Sequence, residues 1–332
     1  MTRGRVQAQL PFPSSVGGRL YEQRAQLAAI KWSFSRRSVL EQCPFRYYLE
    51  YYAVKAGVSR GDEGTGRLRF LKTIQNRHER VGSIAHTVIA AYFRSAKSGD
   101  VWSSSRLVDW AQSIFRRDVA FSEASYQDRF ESSQKYPPAR LHEYFYKMEN
   151  SAELCREAEE KLVVGLRTFA ESPVLADLRS SGSKIDSIVE GRVSVGGLPC
   201  AAHGTVDLGF RSDSLFTVID WKLGEPDRSG KDSLQLGTYA LGVVSKGWAT
   251  ADTMRAAKAY LATGEIVNFS VEESVLARTR ARIVQDAERM AVLHDFGLRG
   301  VAEAFTPCRQ RRVCALCPFQ EVCPAGRAVV HG

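Results

Sequence analysis

The chain has 332 residues, 44% of them hydrophobic and 25% charged, and its formal net charge is +9. That composition supports one large domain or two intertwined ones, and excludes a disordered chain, a coiled coil and a small disulfide scaffold. The basic balance favours a polyanionic partner, nucleic acid or an acidic membrane surface, and does not choose between them.

No run approaches the roughly 18–20 apolar residues that span a bilayer. Arg3 and Arg5 are not followed by the apolar segment of a secretory signal. The expectation is a cytoplasmic protein with no membrane partner. Residues 1–30, basic and rich in Gly, Pro and Ser at the start, read as a flexible arm. A helix begins at Ser33 with Ser35 as its N-cap, and leads into Cys43-Pro44 and the aromatic run Phe45, Tyr47, Tyr48, Tyr51 and Tyr52. Residues 55–66 hold four glycines and read as a loop. Residues 67–97 read as one helix, with Ile84, Val88 and Ala91 at helical spacing. Residues 105–180 are helical by pattern, broken at Pro137-Pro138 and at Pro173.

From Ile185 the period changes to two. Residues 188–195 alternate as a strand, Gly196-Gly197 turns the chain, and 201–211 and 215–222 read as two more strands. A helix over 232–245, strands over 256–262 and 265–270, and a helix over 272–295 complete the pattern. The chain contains seven cysteines, and four of them, Cys308, Cys314, Cys317 and Cys323, lie in the tail.

Val218-Ile219-Asp220-Trp221-Lys222 carries the first chemistry. Residues two apart on a strand share a face, so Asp220 and Lys222 project together. Hairpin pairing can bring Asp207 beside Asp220. Two carboxylates at one spot repel unless a cation lies between them, and hard oxygen ligands suit Mg²⁺ or Mn²⁺. A lysine there can hold a water or offset charge on a phosphate.

This arrangement resembles the PD-(D/E)XK nuclease superfamily, in particular its RecB-like branch. Gly82-Ser83-Ile84-Ala85-His86 resembles that family's G-x-x-x-H. Glu190 stands where its early acidic residue does. Gly204-Thr205-Val206-Asp207 resembles its G-x-x-D, and Asp220-Trp221-Lys222-Leu223-Gly224 its D-x-K-x-G. Gln235 and Tyr239 resemble its Q-x-x-x-Y helix. The resemblance implies His86, Asp207, Asp220 and the Trp221 carbonyl as ligands of Mg²⁺ or Mn²⁺. It implies a catalytic set of Asp207, Asp220, Lys222, Glu190, Gln235 and Tyr239.

Cys314-x₂-Cys317-x₅-Cys323 offers three thiolates, and Cys43 is the candidate fourth. The set resembles the iron–sulfur RecB-like nucleases, the AddB nuclease domain and the CRISPR-associated four-cysteine nucleases, and so implies a [4Fe–4S] cluster. Structural zinc is the alternative. Cys308 is a substitute ligand, and Cys155 and Cys200 read as small core residues. Arg309, Arg311 and Arg312 form a basic stretch suited to phosphate. Arg36, Arg37 and Arg46, among the tyrosines, either contact DNA or pack around the cluster.

The expected fold is α/β, a restriction-endonuclease-like core with a small mixed sheet of about five strands flanked by helices, plus a cysteine clasp. The expected organisation is an arm over 1–30, a helical region over 31–184, a nuclease core over 185–300 and a clasp over 301–332. The expected function is metal-dependent DNA cleavage, by a single-strand exonuclease of repair, recombination or defence. No P-loop is present, so a helicase would be a separate partner. The other reading is a non-catalytic iron–sulfur subunit that binds DNA ends in a helicase–nuclease complex.

Overall fold

The structure is a computed structural model and describes residues 24–56, 63–124, 138–226 and 233–331. Of the expected arm, residues 1–23 lie outside the described part. Residues 24–28 are helical, and Leu27 and Ile30 are buried in the core, so this end of the segment is anchored.

Strand β1 (Lys31–Trp32) leads into helix α1 (Phe34–Gln42). The cap of α1 is Ser33 rather than Ser35: Ser33 is extended, and its hydroxyl accepts the Arg36 amide that the first helical turn leaves free. Helix α2 (Pro44–Tyr48) has proline in its first turn, where the missing N–H is no loss, and continues through a π-helical turn, Leu49–Ala53.

The single helix expected over 67–97 is two. They are α3 (Glu63–Lys72) and α4 (Arg77–Ala96), separated by the short strand β2 (Ile74–Gln75). Asn76 explains the break. It forms a capping box with Glu79 and restarts the helix with its own donors satisfied. Of the expected glycine loop, residues 57–62 lie outside the described part, and Glu63 to Gly66 already belong to α3.

Helix α5 (Ser104–Ala124), strand β3 (Arg140–Leu141) paired parallel with β2, helix α6 (His142–Phe145) and helix α7 (Ser151–Glu171) follow. Pro173 opens a 3₁₀ turn before α8 (Ala176–Gly182), while Pro137 lies outside the described residues.

The sheet is mixed and six-stranded. Strands β4 (Ile188–Val195), β5 (Ala201–Ser212) and β6 (Leu215–Lys222) form an antiparallel meander. Helix α9 (Ser233–Ser245) crosses to β7 (Met254–Tyr260), which lies parallel to β6. Strand β8 (Glu265–Phe269) closes that edge antiparallel. The expected five strands become six because β1 adds parallel to the start of β5, at Lys31↔Ala201 and Trp32↔Ala202. Two residues carry no detectable period, which is why the sequence hides this strand.

Helix α10 (Glu273–Arg299) ends at Gly300, whose φ of +76° suits a glycine C-cap. The tail holds α11 (Arg311–Cys314) and α12 (Pro324–His331).

Side chains on β6 alternate between two cores. Phe216 and Val218 pack with residues of α9, α10 and β1, and Ile219 and Trp221 with residues of α4, α5 and α7. Trp221 stacks on Phe93 at 6.2 Å and meets Phe169 edge-on at 5.5 Å. These contacts fix the end of β6 against α4.

Candidate active site

The sheet opens at Asp207. On one edge β5 pairs with β4 at Leu208↔Val189 and Val206↔Gly191, but the pair between them, Asp207 opposite Glu190, is missing. Glu190 has a left-handed φ of +52°, which costs a non-glycine residue about 1–2 kcal/mol. On the other edge the β6 ladder stops at Leu208↔Ile219, one step short of setting Asp207 against Asp220. There the Asp207 carboxylate accepts the Trp221 backbone N–H at 2.8 Å, taking the place of a ladder bond. Both distortions clear space around one carboxylate.

His86 reaches that space from α4. Its Nδ1 lies 3.4 Å from Asp207 Oδ2 and 3.8 Å from Glu190 Oε1, and its Nε2 lies 3.1 Å from the Trp221 carbonyl oxygen. One donor atom from each of His86, Glu190 and Asp207 falls within 4.8 Å of the others. One imidazole nitrogen with two carboxylates is a donor set that suits Mn²⁺ or Mg²⁺. Burial disfavours the His86 imidazolium, but hydrogen bonds to Asp207 and Glu190 outweigh it and raise its pKa to about 10. Burial raises Asp207, against the opposing pull of His86. The pocket therefore favours positive charge. Asp207 is buried, while the His86 and Glu190 side chains are 34% and 31% exposed, so the site is open on one side.

Asp220 is buried one step further in. Its Oδ2 lies 2.7 Å from Lys222 Nζ, and its Oδ1 accepts from Gln235 Nε2 at 2.8 Å and from the Tyr239 hydroxyl at 3.4 Å. Gln235 bridges the group, since its Oε1 also accepts from Lys222 Nζ at 3.2 Å. Burial and then the Asp220 charge push the Tyr239 phenol upward, so it stays a neutral donor. Gly204 makes room for that ring: a Cβ there would stand 2.8 Å from Tyr239 Cε1.

The residues expected at the site thus form two adjoining groups. His86, Glu190 and Asp207 converge as a trio with the donor atoms of a metal site, and Glu190, expected only in the catalytic set, is one of them. Asp220, Lys222, Gln235 and Tyr239 form a hydrogen-bonded chain behind it. The Trp221 carbonyl faces His86. Lys258 was missed by sequence reading. It is the register partner of Asp220 on β7, is 3% exposed, and shares its face of the sheet. The available signal was a lone lysine among Ala256, Ala257, Ala259 and Tyr260.

The cysteines gather elsewhere. Cys43, Cys308, Cys314, Cys317 and Cys323 line one cavity between α2 and the tail. Backbone amides of Arg46 and Cys308 each donate to Cys43 Sγ at 3.3 Å, and that of Gly326 donates to Cys323 Sγ at 3.3 Å. Burial, then the neighbouring Cys308, Cys43 and Cys323, raise Cys314 to about 11, and burial raises Cys317 to about 12. Cys155 and Cys200 are buried apart from this group.

The tyrosine run is largely packing. Tyr47, Tyr48 and Tyr52 are buried, and Arg36 lies over Tyr51 at 4.3 Å. Arg46 pairs with Glu50 and Glu79, and Arg37 with Asp286 and Glu41. Arg309, Arg311 and Arg312 are exposed.

The family model of the PD-(D/E)XK nuclease superfamily matches residues 31–324. This chain belongs to that superfamily. The match spans both halves of the site, from the helix of His86 to the strands of Asp207 and Asp220. Membership in a nuclease superfamily implies a nucleic-acid substrate and a divalent metal, and the trio of this nuclease offers a donor set of that kind. No curated protein matches the chain. A solved structure described as "Crystal structure of SSO0001" is 19% identical, covers 55% of this chain and 79% of its own, and has a TM-score of 0.28, too low to carry an argument. Among the described residues, no helix is long and apolar enough to cross a membrane.

Proposed function

We propose that this nuclease hydrolyses phosphodiester bonds of DNA, acts on single strands from an end, and needs Mg²⁺ or Mn²⁺. The observation that carries the reading is the convergence of His86, Glu190 and Asp207 beside the Asp220–Lys222 pair. His86, Glu190 and Asp207 would hold a divalent ion, which would supply a water of lowered pKa and offset charge on the scissile phosphate. Lys222, 32% exposed, reaches from the buried Asp220 toward the open side, where its ammonium offsets charge developing on the attacked phosphate. Gln235 holds the Lys222 amine and the Asp220 carboxylate in one geometry. Asp220, whose oxygens meet Lys222, Gln235 and Tyr239, stands outside the trio and holds Lys222 in place.

A [4Fe–4S] cluster is the occupant we propose for the cysteine cavity, on the sequence resemblance and on the gathering of five cysteines there, with structural zinc as the alternative. Cys43, Cys314, Cys317 and Cys323 are the proposed ligands, and the cluster would clasp the tail to α2. The sequence resemblance supports a reading as an iron–sulfur RecB-like nuclease of repair, recombination or defence, working beside a separate helicase.

The test uses end-labelled single- and double-stranded DNA with free or blocked ends, in Mn²⁺ or in EDTA. The reading predicts Mn²⁺-dependent shortening of single strands from free ends only. Cleavage of blocked or circular strands would remove the exonuclease mode. DNA-end binding with no cleavage in Mg²⁺ or Mn²⁺ would favour the non-catalytic subunit.

A further inference from the structure

A groove of about 460 Å³ lies between the start of α9, the end of β8 and α10, two strands along the sheet from Asp220. Its size falls in the range of about 300–1,000 Å³ that holds small ligands. Ser233 and Leu234 form its wall. They directly precede Gln235, which holds Asp220 and Lys222. No aspartate or glutamate lines the groove, whereas Arg37, Arg278 and Arg282 all do.

The three arginines differ. Arg37 and Arg282 share Asp286, each donating its Nε to that carboxylate, at 3.1 and 3.0 Å, and both also pair with Glu41. Their charge is offset and their planes are fixed. Arg278 is exposed and makes no ion pair among the described residues, so of the three arginines its guanidinium is the one left to meet an anion. Asn268 adds a side-chain amide, and the Ser270 hydroxyl is taken by Glu272. Phe269, opposite Ala256 in the ladder, packs partly against the core and turns the rest of its ring to the groove.

We infer that this groove is a nucleotide subsite of the substrate strand, holding a unit some nucleotides away from the scissile phosphate. Arg278 contacts its phosphate and Phe269 its base. A guanidinium beside an aromatic ring is the pairing that single strands require, because an unpaired base offers a face to stack on and a duplex does not. The inference rests on the nuclease reading for the nature of the strand, and it adds residues that no motif of the sequence contains.

The test is fluorescence anisotropy of a labelled oligothymidylate in EDTA, over a series of salt concentrations, with cleavage of the same strand in Mn²⁺ measured in parallel. Arg278→Ala should weaken binding and lower the salt slope by about 0.7, one phosphate's worth. Arg278→Lys should restore the slope. Phe269→Leu should weaken binding at least about fivefold and leave the slope unchanged. Arg289→Ala, an exposed arginine of α10 that does not line the groove, should change neither. An unchanged slope for Arg278→Ala, an equal drop for Arg289→Ala, or a wild type that does not bind the strand would each overturn the subsite. Binding with the expected pattern but without cleavage would remove the nuclease reading and leave the subsite standing.

Discussion

His86 Nδ1 lies 3.4 Å from Asp207 Oδ2, joining a helix of the N-terminal half to the middle of the sheet. The contact has a pH signature in metal-stripped protein. Burial opposes the imidazolium, but the bonds to Asp207 and Glu190 prevail and raise His86 from 6.5 to about 10. A pKa raised on folding contributes stability that is complete below about 6.5 and lost as pH rises through about 10. In EDTA, the melting-temperature difference between wild type and His86→Ala should be largest near pH 6 and shrink toward pH 10. A difference constant across that range would show that His86 carries no extra proton.

Metal binding separates the two groups of acidic residues. His86→Ala and Glu190→Gln should each weaken Mn²⁺ binding by at least about tenfold, read by calorimetry. Asp220→Asn should weaken it less, because Lys222 and Gln235 already occupy the Asp220 oxygens. Equal losses for Asp220→Asn and His86→Ala would make Asp220 a full ligand.

Packing at the site gives a contrast between two glycines. A Cβ at Gly204 would lie 2.8 and 2.9 Å from Tyr239 ring carbons, and the ring cannot yield without leaving Asp220. Gly204→Ala should cost about 1–3 kcal/mol by overpacking. A Cβ at Gly82, inside α4, would meet nothing within 4 Å. Gly82→Ala should instead stabilise by up to about 1 kcal/mol. Urea melts of both variants check the signs.

The cysteine cavity predicts a structural cofactor. Closing nearly the whole chain between Cys43 and Cys314 is worth about 4–5 kcal/mol by the cross-link estimate. Cys43→Ser should give colourless, protease-sensitive protein, where anaerobic wild type should be brown and contain iron. Cys308→Ser should keep its iron, because Cys43 already completes the set. Full iron in Cys43→Ser and loss in Cys308→Ser would exchange their roles. One zinc and no iron in wild type would replace the cluster and keep the clasp.

Much of the sheet was legible because its strands alternate cleanly: the bounds 188–195 and 215–222 coincide with β4 and β6. The helix break at 73–76 was hidden because the apolar period continues across it, and only the Asn76–Glu79 capping pair marks the restart. The grouping of site residues was not legible. Sequence spacing places Asp207 and Asp220 at matching positions of a hairpin, but the ladder stops before them, and it is the left-handed Glu190 that converges with Asp207 and His86. Lys258 carries no spacing signal, because strand register alone sets it beside Asp220.

The most direct test of the account is single-turnover cleavage of end-labelled single-stranded DNA by wild type and Lys222→Ala in Mn²⁺, with oligonucleotide binding measured on the same preparations. The account predicts that Lys222→Ala binds DNA as wild type does and cleaves it about 10²–10⁴-fold more slowly. Cleavage by Lys222→Ala at the wild-type rate, or wild-type cleavage that persists in EDTA, would contradict it.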